Sequence, residues 1–400
     1  MLPAEINSDG NYILHLLSDE KFTDHVIQIF EEIYPSRNIY YIELNSGFRE
    51  FKYVKSCNSG IIIAEFGAPA IESQLPDLSG FCAVIFHNII NQYKIDFLAN
   101  RKEKLKYHWM IWGADLYSFP GLSRNILPIS MEYLKRNSTF IKNFTRFIYD
   151  NYPNIYNIVY IITHFKKSPI YRTLSYCKKF ASVSTIISPE IDLVKKWINP
   201  NVVDVPFRYS TIEKLVAGDL NSLCNGDNFL LGNSATIENN HLDAFSIISK
   251  SDINKELLFC PLSYGGPGFK NYARDITLAG KNIFGDRFIP LTEFLSNDEY
   301  VEIIEKCGNV IMNHLRQQAL GNIIASMWKG ARVYFNELSP VYAYYKSLGL
   351  TVYTLSDIPN LRNLPDYESL AKANRGILYA MYSEQIVKKE AVELVDYLLK

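Results

Sequence analysis

Hydrophobic and polar positions in the first half of the chain follow two alternating patterns. Short runs of β-branched and aromatic residues predict strands over 12–17, 39–43, 61–66, 81–86, 106–111, 182–187 and 202–205. Between the first two runs, apolar residues from Phe22 to Ile33 recur at spacings of three and four, which predicts a helix over 22–34. Strands that alternate with helices are typical of a parallel sheet with helices on its faces.

The second half repeats the pattern after a turn-rich stretch near 217–228. It predicts strands over 229–231, 256–261, 309–312 and 332–335, with helices over 239–249 and from about 321. The simplest architecture is α/β, with two Rossmann-like domains facing a cleft that holds the site. The predicted boundaries are 1–206 for an N-terminal domain, 207–228 for a linker, 229–380 for a second domain and 381–400 for a final helix that could cross back to the first domain.

The composition is that of a folded chain with no general attraction for nucleic acid. Of 400 residues, 48% are hydrophobic and 21% charged, which supplies full cores and excludes a mainly disordered chain. Lys plus Arg number 41 and Asp plus Glu 42, for a net charge of -1. The start lacks the pattern of a secretory leader, no apolar run could span a membrane, and the cysteines form no CxxC pair. We therefore expect a cytoplasmic protein.

One stretch, 121–180, departs from this charge balance. It holds ten Lys and Arg against two Asp and Glu, together with twelve aromatic residues. Helices with solvated basic faces would explain this composition. A surface that meets anionic lipid headgroups or a lipid-linked pyrophosphate would also explain it, because each basic residue near such a bilayer contributes about 1 kcal/mol. Both interpretations stay open at the level of the sequence.

Two loops of the second half suit a diphosphate ligand. Gly232-Asn233-Ser234 follows a predicted strand and would let the backbone approach a phosphate closely. Arg316-Gln317-Gln318 precedes a helix with Gly321 and Asn322 in its first turn, so a fixed cation and the positive helix end would face one anion. Taken alone, each feature is more often a plain turn or an exposed strand end.

Several catalytic signatures are absent from the sequence. It has no P-loop, no GxGxxG after the first strand, no HExxH and no GxSxG, which disfavours nucleotide hydrolysis, hydride transfer, zinc proteolysis and lipase-like chemistry. It has no Asp-x-Asp pair either, so we predict a reaction without metal or other cofactor, in which Arg316 and helix ends meet the charge of a leaving diphosphate. His87 and Asp115, at strand ends in the first half, are the candidate catalytic groups. A structural histidine and a capping aspartate are the alternatives.

Several short motifs, in this order, resemble glycosyltransferase family 56. They are IWGADLY at 111–117, LLGNS at 230–234, Asn240-His241-Leu242, and Arg316-Gln317-Gln318 with Gly321. Weaker support comes from the residues at 205–208, 261–264 and 300–307. Family 56 contains bacterial N-acetylfucosaminyltransferases that act on a lipid-linked intermediate of enterobacterial common antigen. Its motif continues Gly-Asn-Ser with Gly-Asp, where this chain has Ala235-Thr236.

The resemblance implies a GT-B fold whose first domain binds the acceptor and whose second domain binds the nucleotide sugar. The implied reaction moves a deoxyamino sugar of the N-acetylfucosamine type from a dTDP donor to a lipid-linked oligosaccharide, in bacterial surface polysaccharide synthesis. It also implies a peripheral position on the inner face of the cytoplasmic membrane. From this resemblance and the two loops above, the candidate donor-binding residues are Gly232, Asn233, Ser234, His241, Tyr264, Arg316, Gln317, Gln318, Gly321 and Asn322. The candidate catalytic residues on the acceptor side are Asp115 and His87.

Two other functions are compatible with the same fold. A nucleotide-sugar epimerase would convert the donor by itself and would need no membrane. A non-catalytic protein would bind the nucleotide sugar without turning it over, because a fold does not dictate a function.

Overall fold

The computed structural model describes residues 11–400 except 59, 68–77, 102–104, 217, 252, 254 and 267. The start of the chain, on which the prediction of no secretory leader depends, lies outside these residues. The chain divides into two compact units. Unit 1 holds the described residues up to Phe119 together with Asn154–Ser210 and Glu384–Lys400, and unit 2 holds Pro120–Pro153 and Thr211–Ser383.

The strands and helices alternate along most of the chain. In chain order, the strands are β1 (Tyr12–Ser18), β2 (Asn38–Glu43), β3 (Ile61–Ala64), β4 (Phe81–His87), β5 (Lys106–Met110), β6 (Phe180–Ser184), β7 (Val203–Asp204), β8 (Phe229–Leu231), β9 (Leu258–Pro261), β10 (Phe288–Leu291), β11 (Asn309–Met312), β12 (Arg332–Phe335) and β13 (Tyr353–Thr354). The α-helices are α1 (Thr23–Ile33), α2 (Gln92–Asn100), α3 (Pro128–Arg136), α4 (Phe140–Asn151), α5 (Pro153–His164), α6 (Pro169–Cys177), α7 (Glu190–Trp197), α8 (Ile212–Val216), α9 (His241–Ile248), α10 (Phe269–Phe284), α11 (Asn297–Lys306), α12 (Leu320–Trp328), α13 (Pro340–Ser347), α14 (Tyr367–Tyr382) and α15 (Glu384–Leu399).

Each unit is built on one parallel sheet. The order is β3-β2-β1-β4-β5-β6-β7 in unit 1 and β10-β9-β8-β11-β12-β13 in unit 2. In both sheets the first strand of the unit lies inside the sheet and the strand order reverses beside it, as in Rossmann folds. The predicted α/β class with two Rossmann-like domains is confirmed. In such sheets, ligands bind to the loops that follow the carboxyl ends of the two strands on either side of this reversal.

The core of unit 1 includes the last helix of the chain. Phe30 of α1, Leu394 of α15 and Ile13 of β1 belong to one buried cluster. Lys388 of α15 also forms an ion pair with Glu32 of α1 at 2.8 Å. The final helix, predicted within 381–400, is therefore part of unit 1.

The segment 120–153, which the sequence pattern placed in the N-terminal domain, groups with unit 2. The side chain of Asn240 accepts a hydrogen bond from the backbone N–H of Leu127 at 2.8 Å. The carboxylate of Asp243 accepts two more, at 2.9 Å each, from the N–H groups of Ile129 and Ser130 in the first turn of α3. A carboxylate at a helix N-terminus satisfies unpaired N–H groups and the helix dipole, so Asp243 anchors α3 to α9.

Among the described residues, no helix combines the length and the apolar character needed to cross a bilayer.

Candidate functional site

The loop after β8 carries the first of the predicted donor-binding residues. Gly232 has a φ of +70°, a region of backbone space that favours glycine. A Cβ at this position would lie 2.6 Å from Oδ1 of Asn239 and 3.0 Å from Nε2 of His241. Glycine is therefore required here by both the backbone angle and the space.

Asn239 holds this loop in its conformation. Its Oδ1 accepts hydrogen bonds from the backbone N–H of Asn233 at 3.1 Å and from Nε2 of His314 at 2.8 Å. Its Nδ2 donates to the carbonyl oxygen of Ser234 and to Oγ1 of Thr236, both at 2.9 Å. One buried amide thus joins the loop after β8 to His314, the second residue after β11.

Both histidines of this region are neutral at physiological pH. Burial, together with the nearby Arg316 and His241, lowers the pKa of His314 to about 3. Burial alone lowers the pKa of His241 to about 3. Because Nε2 of His314 donates to Asn239, the neutral ring carries its lone pair on Nδ1. His241 contacts the hydroxyl of Tyr272 through Nδ1 at 3.0 Å, while its buried Nε2 has no hydrogen-bond partner.

The loops after β9 and β11 are bonded to the same loop. Nε2 of Gln318 donates to Oδ1 of Asn233 at 2.8 Å, and Nδ2 of Asn233 donates to the hydroxyl of Tyr264 at 3.3 Å. The carbonyl oxygen of Tyr264 accepts from the N–H of Ala235 at 2.7 Å. Gly265 makes this approach possible, since a Cβ there would lie 2.5 Å from the carbonyl oxygen of Ala235.

The predicted cation lies beside this network. Arg316 is half-buried, and its guanidinium donates to the carbonyl oxygen of Gln317 at 3.0 Å. The helix α12 begins a few residues later, after Ala319 in a left-handed conformation with a φ of +58°. A guanidinium next to the start of a helix is an arrangement that binds anionic groups.

The structure brings some of the predicted donor-side residues together and leaves others apart. Five of them share the hydrogen-bond network or its loop: Gly232, Asn233, Ser234, Tyr264 and Gln318. His241 lies beside Gly232, and Arg316 and Gln317 precede α12. Asn322, in the first turn of α12, donates instead to the hydroxyl of Tyr300 at 2.8 Å. Gly321 faces Leu215, with a Cβ position 3.4 Å from its Cδ2.

Sequence reasoning missed Asn239 and His314, the two residues that organise this region. Asn239 directly precedes the Asn240-His241-Leu242 motif, and His314 lies two residues before Arg316. Nothing in the spacing says that these two side chains meet, because they are 75 residues apart in the chain.

Asp115, the first acceptor-side candidate, is surrounded by hydrogen-bond donors in unit 1. Its side chain is 2% exposed. One oxygen accepts from the N–H groups of Trp112 and Leu116, and the other from Nε1 of Trp109 and the N–H of Ile89, at 2.8 to 3.3 Å. Burial raises the pKa of Asp115, and the N–H groups of Trp109, Trp112 and Leu116 oppose that rise. Both oxygens are occupied, which is the arrangement expected of a capping aspartate.

His87, the second candidate, belongs to a row of buried histidines on neighbouring strands. Its Nε2 lies 3.1 Å from Nδ1 of His15, while its own Nδ1 is buried without a partner. Burial, together with His15, Lys94 and His108, keeps the pKa of His87 well below its usual value. His87 is therefore neutral, and its low pKa and fully buried side chain make it a weak proton acceptor.

Glu20 is a further carboxyl group near the carboxyl ends of the unit 1 strands, and it was not among the site residues predicted from the sequence. Glu20 follows β1 and is half-buried. Burial raises its pKa, the neighbouring Asp19 raises it further, and the nearby cations Lys21, Lys94 and Lys52 oppose the rise. A carboxyl with a raised pKa at the carboxyl end of a central strand is a candidate for proton transfer.

The two parallel sheets give the chain a fold of the GT-B class. Solved structures of similar fold include the sucrose-phosphate synthase from Thermosynechococcus elongatus, with a TM-score of 0.62, 9% identity and coverage of 97% of this chain and 99% of that one. An α,α-trehalose-phosphate synthase (UDP-forming) from Burkholderia vietnamiensis has a TM-score of 0.59 and 8% identity, covering 97% and 100%. An O-GlcNAc transferase mutant from Thermobaculum terrenum has a TM-score of 0.56 and 9% identity, covering 100% and 69%. At these identities the likeness concerns the fold.

A narrower match lies in the second half of the chain. Residues 202–341 match the model of the family described as 4-alpha-L-fucosyltransferase, glycosyl transferase group 56. The resemblance to glycosyltransferase family 56 is confirmed over this segment, which contains every candidate donor-side residue. No curated protein sequence matches the chain.

Proposed function

We propose that the protein transfers a deoxyamino sugar of the N-acetylfucosamine type from dTDP to a lipid-linked oligosaccharide, in the synthesis of a bacterial surface polysaccharide. In this reaction the acceptor hydroxyl oxygen attacks the anomeric carbon of the sugar, and the bond from that carbon to the diphosphate breaks. The hydroxyl proton passes to a basic group of the protein, and dTDP leaves.

The observation that carries the proposal is the network centred on Asn239. It joins the loops after β8, β9 and β11 at the carboxyl ends of their strands, next to Arg316 and the start of α12. Three buried polar atoms in this region have no partner in the protein: Nε2 of His241, Oε1 of Gln317 and Oε1 of Gln318. A sugar nucleotide carries the hydroxyl, amide and phosphate groups that such atoms bind.

The diphosphate would leave without a metal ion. Its developing charge would be stabilised by Arg316 and by the N–H groups at the start of α12, which act as fixed electrostatic partners. We expect transfer to continue in EDTA. Loss of activity on chelation, with recovery on addition of Mg²⁺ or Mn²⁺, would contradict this part of the proposal.

The proton acceptor on the acceptor side is proposed to be His87 or Asp115. Of the two, His87 has an unpartnered ring nitrogen, whereas both oxygens of Asp115 already accept N–H groups. The contacts favour His87, whereas its full burial and lowered pKa count against it as a base. Glu20 is the replacement candidate if substitution of either leaves turnover intact.

The test is an assay with a dTDP-linked deoxyamino sugar, run with and without a polyprenyl-diphosphate oligosaccharide acceptor. We expect sugar transfer only when the acceptor is present, together with thermal stabilisation of the protein by dTDP but less by UDP. Conversion of the donor alone would identify an epimerase. Donor binding with no turnover under either condition would identify a non-catalytic binding protein.

A further inference from the structure

The helix α4 leaves its large apolar side chains in solvent. None of its residues is buried. Phe140 is 82% exposed, Phe144 56% and Phe147 51%, and their spacing of four and three places them on one face of the helix. Exposed apolar surfaces of this kind on soluble proteins mark contacts with a partner or with a membrane.

The helix α5, considered by itself, is exposed in the same way. None of its residues is buried, and its exposed apolar side chains are Ile155, Ile158, Val159, Ile161 and Ile162. Phe165, directly after the helix, is 94% exposed. With 12 residues, α5 is shorter than the roughly 20 apolar residues of a membrane-spanning helix. Its length suits a helix that lies along a membrane surface.

Basic side chains accompany both helices. The exposed ones are Lys135 and Arg136 at the end of α3, Lys142 and Arg146 on α4, and Lys166 and Lys167 after α5. Between 135 and 167, Asp150 is the only acidic residue of the sequence. Lys142 and Arg146 are four residues apart, so they share a face of α4. By helical spacing this face is different from that of the phenylalanines.

This charge pattern favours a lipid surface over a second copy of the chain. A symmetric dimer through these helices would bring two basic segments with few acidic side chains near each other, which costs energy. An anionic bilayer offers the opposite charge at the depth of the headgroups and hydrocarbon just below them. Phenylalanine and isoleucine side chains flanked by lysine and arginine match both layers.

We propose that α4 and α5 each lie on an anionic phospholipid bilayer, with their apolar side chains inserted below the headgroups and their basic side chains on the lipid phosphates. The inference rests on the proposed function in one respect: a lipid-linked acceptor brings the protein to a bilayer. Vesicles without any acceptor test the surface by itself, so the two proposals can fail separately.

The test compares full-length variants by co-sedimentation with vesicles of phosphatidylethanolamine and phosphatidylglycerol. We expect the wild type to bind, and the triple variant Phe140→Gln, Phe144→Gln, Phe147→Gln to lose at least about tenfold in partition coefficient, or about 1.4 kcal/mol. The matched control is Leu278→Gln with Leu338→Gln, which removes side chains that are 57% and 77% exposed elsewhere in unit 2. The control should bind like the wild type. Stabilisation by dTDP should be the same in all three proteins.

A second variant separates insertion from simple charge attraction. Lys142→Gln with Arg146→Gln should weaken binding to the anionic vesicles by several-fold, and added salt should have a similar effect on the wild type. Some wild-type binding should persist at high salt, because inserted apolar groups are not screened. Phe144→Trp should show tryptophan fluorescence that brominated lipid tails quench.

Three results would overturn the inference. The first is a wild type that does not sediment with anionic vesicles, even if it transfers sugar to a soluble acceptor. The second is a triple variant that binds vesicles as well as the wild type. The third is a wild type that dimerises with rising concentration while the triple variant stays monomeric, since that would make a second copy the occupant of this surface.

Discussion

Asp115 in unit 1 and Asn239 in unit 2 are both buried polar side chains near the carboxyl end of a parallel sheet. Asp115 accepts four N–H groups, all from residues between 89 and 116. Asn239 both donates and accepts, and its partners come from the loop at 233–236 and from His314. The carboxylate therefore stabilises the turn at 112–116 and joins it to Ile89 after β4, whereas the amide connects loops that are 75 residues apart.

Buried polar atoms without a partner occur in both units, and those of unit 1 include Nδ1 of His87 and Nε1 of Trp112. Beside Asn239, the side chains of His241, Gln317 and Gln318 each have a buried polar atom with no partner. A buried polar atom without a hydrogen bond costs about 1–3 kcal/mol, and this cost is recovered when a ligand supplies the partner. The carboxylate of Asp115 is itself satisfied by the protein alone. The proposal of a ligand at this edge of unit 2 rests on those three atoms, whereas the contacts of the Asp115 carboxylate are those of a structural residue.

The substitution Asp115→Asn tests the structural side of the comparison. The Asn side chain would direct an NH₂ group at N–H donors, so we expect the free energy of unfolding to fall by about 2–4 kcal/mol. Urea titration measures this, and donor affinity of the folded protein should change little. Normal stability together with a fall in turnover of about 10² to 10⁴ would instead identify Asp115 as the proton acceptor.

Arg316→Ala tests the ligand side. Loss of a charge-assisted contact to the diphosphate should weaken donor binding by about 1.5–3 kcal/mol and lower turnover, with stability unchanged. Calorimetric titration with the dTDP sugar measures the effect. Arg274→Ala is the matched control, because this arginine is exposed and pairs with Asp275 in the same unit. Normal donor binding by the Arg316 variant would exclude it from the donor site.

Asn239→Ala sharpens the comparison, since it removes the connection between the loops. We expect a loss of about 1–2 kcal/mol in unfolding free energy and a fall in donor affinity. Asn322→Ala, which removes a single hydrogen bond to Tyr300, should cost less and leave donor affinity unaltered. Equal effects of the two variants on donor binding would show that the Asn239 network has no special role.

The buried histidines predict how stability depends on pH. In unit 1, His108 is bonded at both ring nitrogens, to Ser182 at 2.8 Å and Ser184 at 2.9 Å. Burial lowers its pKa to about 3 from the usual 6.5, so below pH 6.5 the unfolded chain binds a proton that the folded chain does not. The free energy of unfolding should therefore fall as the pH drops from about 6.5 towards 3.

Substitution of this histidine should reduce the slope of that fall. In His108→Gln the unfolded chain has one fewer group that takes up a proton below pH 6.5. The slope of the unfolding free energy against pH should therefore be smaller by up to about 1.4 kcal/mol per pH unit. Denaturant titrations at pH 6.5, 6 and 5.5 measure the slopes. Parallel curves for wild type and variant would mean that His108 is not kept neutral by the fold.

The central strands and their loops could be predicted because each is encoded locally. The runs at 229–231, 309–312 and 332–335 became strands with those bounds, since short apolar runs between turn residues suit strands buried on both faces. The edge strands β10 and β13 were not predicted. One contains Pro290 and the other is two residues long, so neither carries a pattern that differs from a loop.

The sequence by itself determined the α/β class, the two sheets, the loops at 232–234 and 316–318 and the basic aromatic character of 121–180, because periodicity and local composition carry that information. Only the tertiary structure decided that Asn239 and His314 meet, that Asp115 is enclosed by four N–H groups, and that Phe140 and Phe144 face solvent. These features depend on how residues far apart in the chain are packed. The sequence pattern of a run of Phe and Ile residues is the same whether a neighbouring element covers their side chains or leaves them exposed.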